Sequence, residues 1–99
     1  MYSQNDIINY LKNNKESFSK KYGIIKLGVF GSFARDTQNE KSDLDILVEF
    51  IENPQNLYDT KEAIKKEIKK DLHLKVDVCR EKALNIHFKN LIFSEVIYV

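Results

Sequence analysis

The segment from Asp43 to Phe50 constrains this chain more than any other. Side chains along a strand alternate between two faces. At that period Leu44, Ile46, Val48 and Phe50 share one face, while Asp43, Asp45, Leu47 and Glu49 share the other. The first face requires a core to pack against. The second opens with two carboxylates two residues apart, which excludes a sheet buried evenly on both sides.

The rest of the chain supplies the partners such a strand needs. Ser3 and Asp6 form a capping-box variant ahead of Ile7, Ile8, Tyr10, Leu11 and Phe18, predicting one amphipathic helix up to Gly23 with a break near Asn13 and Asn14. Residues Ile24 to Phe30 are β-branched or apolar apart from Lys26 and Gly28, and read as a buried strand that ends in a turn at Gly31-Ser32. One helical turn is expected at Phe33 to Arg35, then an exposed polar loop from Asp36 to Ser42. A linker at 52–56 holds the only proline, Pro54, and precedes a helix from Leu57 to Asp71 with Ile64, Ile68 and Leu72 in line. A third strand, Leu74 to Cys79, sets Leu74, Val76 and Val78 against Lys75, Asp77 and Cys79. A short helical pattern through Leu84, Phe88, Leu91 and Ile92 follows, and the apolar end Val96 to Val99 is open between core and partner interface.

This order predicts a small α/β (α+β) sandwich, with helices over one face of a mixed three-stranded sheet and Asp43, Asp45 and Asp77 on the other. A chain of 99 residues has room for one core, so a single domain over 1–99 is expected. Sixteen basic residues against fifteen acidic ones give a net charge of +1, and no global field draws the chain to nucleic acid or a membrane surface. The single cysteine, Cys79, excludes an internal disulfide and a multi-cysteine zinc site and fits a reducing compartment, with the cytoplasm as default. Neither a leader pattern in Met1 to Asn14 nor an apolar run of about 18 residues is present.

The chemistry concentrates in two places. Carboxylates at i and i+2 on a strand project to one side roughly 6 to 7 Å apart, close enough to share a divalent cation. Asp77, from a neighbouring strand, completes an all-oxygen cluster suited to Mg²⁺ or Mn²⁺ and poorly suited to zinc. Two such ions can activate an attacking hydroxyl and stabilise departing pyrophosphate. Gly31-Ser32 supplies the second element: glycine admits a polyphosphate close to the backbone, free N–H groups and the Ser32 hydroxyl donate to it, and Arg35 adds a fixed positive charge one turn on.

Gly31-Ser32, ten intervening residues, Asp43-Leu44-Asp45 and the later Asp77 resemble the nucleotidyltransferase superfamily of DNA polymerase beta. The fuller strings from Gly28 to Arg35 and from Ser42 to Val48 are similar, more narrowly, to the minimal nucleotidyltransferase (MNT, MntA-like) antitoxins, whose partners are HEPN-domain toxins. The resemblance covers nearly the whole chain. It implies transfer of AMP from ATP to a hydroxyl, expected to be a tyrosine, on a cognate HEPN toxin in assembly with it. It implies two Mg²⁺ ions bridged by Asp43 and Asp45, with Asp77 on the ion that activates the acceptor, and β and γ phosphates bound by Gly31, Ser32 and Arg35. The alternative is an antitoxin that silences its toxin by binding alone. Transfer to RNA or a small molecule calls for a basic acceptor groove, which the sequence does not display. Asp36 departs from the family pattern, where many relatives have glycine, and the segment Asn85 to His87 leaves the base contact unassigned.

The remaining polar residues take simpler readings. His73 and His87 lack metal-ligand spacing, Cys79 reads as a small packed residue, and the Lys61 to Lys70 run reads as a solvated helix face. The five tyrosines read as packing or rim aromatics, each also a conceivable self-modification site.

Overall fold

The computed structural model describes residues 1–52 and 54–99. Four helices and four strands follow in the order α1 (Gln4–Tyr22), β1 (Ile24–Phe30), α2 (Ser32–Arg35), β2 (Leu44–Phe50), α3 (Leu57–Leu72), β3 (Val76–Arg80), α4 (Ile86–Glu95) and β4 (Ile97–Tyr98). A single 3-10 turn, Glu81–Ala83, lies between β3 and α4. The linker expected at 52–56 includes residue 53, which lies outside the described residues.

Helix α1 starts on the capping box: the Asp6 N–H donates to Ser3 Oγ and the Ser3 N–H to Asp6 Oδ2. It runs without the break expected near Asn13 and Asn14; Ile7, Leu11 and Phe18 bury along its whole length, and the Asn14 side-chain amide donates to the Tyr10 carbonyl at 2.8 Å. Gly23, left-handed at φ 72°, ends it and sends the chain into β1. A register shift between Ile24 and Lys26 lets Ile24 join Leu27 and Val29 in the core although their spacing breaks strict alternation.

The sheet has four strands, not three, in the order β3-β2-β1-β4. β2 lies antiparallel to β1 and parallel to β3, so the sheet is mixed as expected. The fourth strand is the apolar tail: Ile97 pairs with Val29 and Tyr98 with Gly28, closing the outer edge of β1. Gly28 makes this possible, since a β-carbon there would sit 3.0 Å from both the Ile97 carbonyl oxygen and Val96 Cγ2.

Ile7, Leu11 and Phe18 of α1 and Ile64, Ile68 and Leu72 of α3 bury against Leu27, Val29, Leu44, Ile46, Val48, Val76 and Val78. This is the core that the apolar face of β2 requires. On the opposite face Leu47 is 1% exposed although it stands outside that cluster, and so does the buried Ile92 of α4. The far half of this second face is therefore covered, and its Asp45 end is less so.

Candidate active site

Strand register assembles the site. Asp45 is paired across β2 and β3 with Asp77, and across β2 and β1 with Phe30, the residue before Gly31. Asp77, Asp45 and the Gly31 turn thus form one row across three strands. Asp43 lies just before β2, its Oδ2 3.9 Å from Lys75 Nζ. Lys75 therefore engages Asp43 at the exposed end of the row. Burial pushes the Asp45 carboxyl up to about 6, with further contributions from Asp77 and Asp43 and an opposing one from Arg35.

The turn that follows β1 is held tightly. Gly31 has φ 74° and ψ −151°, a backbone conformation that L side chains rarely adopt. A β-carbon at this position would also run into the Asp45 carboxylate. Glycine is therefore required for Asp45 to approach the turn, independently of any ligand. Phe33 anchors α2 in the core, and the Gln4 side-chain amide donates to the Phe33 and Ala34 carbonyls at 3.2 and 2.9 Å. Asp36 caps α2 in the left-handed region at φ 59°, which explains why glycine suits this position.

One residue of the site escapes sequence reasoning. Glu95, the last residue of α4, accepts the Gly31 N–H on Oε1 at 3.0 Å and the Arg35 guanidinium on Oε2 at 2.8 Å. Its only local signal is an acidic side chain at a helix C-terminus, where the helix dipole disfavours one.

An open groove of about 560 Å³ borders Asp77 on the side away from Gly31, lined by Lys65, Lys66, Lys69 and Lys75 with Glu62. Part of the lysine-rich face of α3, solvated as expected at Lys66 and Lys69, forms one wall of this groove. The tyrosines keep structural duties: Tyr10 donates to Asp71, Tyr22 to Glu67 and Tyr98 to Glu81. Burial and these carboxylates push Tyr22 and Tyr98 up to about 12. His73 caps α3 in the left-handed region, His87 is exposed, and burial raises the Cys79 thiol.

The donor set suits a hard cation. Asp43, Asp45 and Asp77 offer only oxygen, and the Asp45 carboxyl is raised first by burial and then by the like charges of Asp77 and Asp43, the part a divalent ion would offset. Among the described residues no three acidic, histidine or cysteine side chains are grouped so as to hold a metal ion by themselves. Mg²⁺ is commonly held by one or two carboxylates with substrate phosphates completing its shell, a requirement that these oxygen donors meet.

A mixed sheet with a glycine-serine turn set beside clustered aspartates defines a nucleotidyl-transferring architecture. The chain belongs to the nucleotidyltransferase domain family, whose model matches residues 11–99. It is 31% identical over 99 residues to the protein adenylyltransferase MntA of Thermococcus cleftensis, covering 100% of this chain and 98% of that relative. A solved structure provisionally described as a minimal nucleotidyltransferase superposes with a TM-score of 0.77 at 27% identity, over 97% of this chain and 95% of the other. The fold is also similar, with a TM-score of 0.59 at 17% identity over 96% of this chain and 66% of the other, to a chain from a complex of a tri-AMPylated Shewanella oneidensis HEPN toxin with its MNT antitoxin. Among the described residues no helix is long and apolar enough to cross a membrane.

Proposed function

We propose that this chain, acting as one catalytic unit over residues 1–99, transfers AMP from ATP to a tyrosine hydroxyl of a HEPN-domain toxin and thereby neutralises it. The observation that carries this reading is the row of Asp77, Asp45 and the Gly31 turn across β3, β2 and β1. It sets the Asp77 carboxylate on one side of Asp45 and the Gly31 turn on the other, an arrangement that supports an acceptor side and a phosphate side. The full-length likeness to a protein adenylyltransferase supports the reaction. The complex of an MNT antitoxin with an AMPylated toxin supports the kind of partner. The single cysteine, Cys79, supports a reducing compartment, the cytoplasm, as the place of the reaction.

Gly31 N–H, the Ser32 hydroxyl and Arg35 hold the β and γ phosphates, leaving the α-phosphorus over Asp43 and Asp45. The acceptor oxygen attacks that phosphorus, the bond to the bridging oxygen of pyrophosphate breaks, and pyrophosphate departs with the electron pair. The proton lost by the tyrosine hydroxyl, whose ordinary pKa is near 10, is received on the Asp77 carboxylate. Mg²⁺ held by Asp43, Asp45 and Asp77 would supply charge neutralisation at the phosphates and acidify the acceptor.

The test is the intact mass of a HEPN partner encoded beside this chain and co-expressed with it, compared with co-expression of the Asp43→Asn, Asp45→Asn double variant. A gain of one or more adenylyl units with the parent chain alone is the expected result. A partner that stays unmodified yet is silenced by both versions would establish inhibition by binding.

A further inference from the structure

The reaction above leaves Glu95 without a task, yet Glu95 holds two of the groups assigned there to phosphate. Its carboxylate spans the Gly31 N–H at 3.0 Å and the Arg35 guanidinium at 2.8 Å. Two acceptor oxygens on one anionic centre, bridging a backbone donor and a guanidinium, reproduce what two phosphate oxygens would do there. The contact is sheltered on one side only: the Glu95 side chain is 12% exposed and that of Arg35 51%. It also adds a negative charge to the field around Asp45, so the two donors hold it against repulsion from the acidic row.

The backbone at Glu95 is pinned on both sides. The Val96 N–H closes α4 onto the Ile92 carbonyl at 2.8 Å, and Ile97 and Tyr98 pair directly with β1. The carboxylate can leave by rotating its own side chain while α4 and β4 keep their places.

We propose that Glu95 sets the affinity of the nucleotide site: its carboxylate fills the phosphate position when no nucleotide is bound, and a triphosphate binds by displacing it from Gly31 and Arg35. The inference rests on the assignment of those two groups to phosphate. It makes nucleotide binding an exchange of one anion for another, so that a ligand must carry phosphate to compete.

Calorimetric titration of the full chain tests it, with AMP-PNP and Mg²⁺, tripolyphosphate and adenosine as probes. Glu95→Gln keeps the shape and removes the charge; it is expected to bind AMP-PNP and tripolyphosphate several-fold to about tenfold more tightly than the parent, the scale of one partly sheltered ion pair. Adenosine binding should not change. Equal or weaker AMP-PNP binding by Glu95→Gln overturns the proposal, as does a gain that appears equally with adenosine. Arg35→Ala separates this failure from failure of the nucleotide reading: an unchanged AMP-PNP affinity there would remove Arg35 from the phosphate site, and this inference with it. Glu95→Asp, too short to reach both donors, carries the same test with the same expected direction if the glutamine variant melts early.

Discussion

Strand β2 carries two acidic side chains on one face, Asp45 near its start and Glu49 near its end, and the chain treats them in opposite ways. Glu49 is paired with Arg80 at 3.0 Å, and both side chains are nearly sealed, 7% and 11% exposed. Arg80 is also placed over the Phe50 ring, 5.5 Å from its centroid. Asp45 instead faces a second aspartate across the sheet, and the cation nearest to it in effect, Arg35, is already engaged by Glu95. The same residue chemistry on the same strand is neutralised at one end and left in conflict at the other. Carboxylates kept in conflict weaken a fold, which supports the assignment of the Asp45 end to the proposed ligand site.

The largest expected effect comes from breaking the neutralised end. Arg80→Ala leaves Glu49 buried without its guanidinium and should cost about 3 kcal/mol, read by chemical denaturation. The change at the other end should have the opposite sign. Asp45→Asn removes the repelled charge and should stabilise the metal-free fold at pH 7 by about 1 kcal/mol, the shift being discounted for solvent screening because Asp45 is only half-buried. It should also abolish transfer. The sign follows from linkage: Asp45 titrates near 6 when folded, above the ordinary value of 3.8, so its ionisation destabilises the fold above pH 6. Melting curves of parent and variant should therefore converge as pH falls from 6 to about 4. A difference that grows on acidification would mean that Asp45 is stabilised by a partner rather than repelled. The smallest effect is at the turn between the two strands, where Asp36 sits at φ 59°. Asp36→Gly should raise stability by about 0.5 kcal/mol in thermal melts, since glycine adopts this conformation without strain.

Much of this contrast was legible in the sequence, because alternation alone separates Leu44, Ile46 and Val48 from Asp43 and Asp45. The capping box at Ser3, the strand ending at Gly31 and the helix through Ile64 and Ile68 were legible for the same reason: each is a local pattern with a local cause. What stayed hidden depends on distant contacts. Two residues of β4 are too few to show a period, so the sheet read as three-stranded. Glu95 meets Gly31 and Arg35 only after the whole sheet has formed. The lysine groove mixes residues of α3 with Lys75 and Asp77, and a linear run of lysines does not say which of them will face an aspartate. Glu49 read simply as a residue on the acidic face, because nothing in the local pattern pairs it with Arg80.

The closing of β1 by Ile97 and Tyr98 has a kinetic consequence. Pairings between segments this far apart are among the slowest to form, since the intervening chain must be brought together before the contact is rewarded. Until then β1 offers an unpaired hydrogen-bonding edge, flanked by the exposed Ile25 and by Gly28, which has no side chain to obstruct an approaching strand. An edge in that state invites a second copy of the same segment. The two-residue strand that completes the sheet thus also serves as the guard that ends the chain's exposure to self-association during folding.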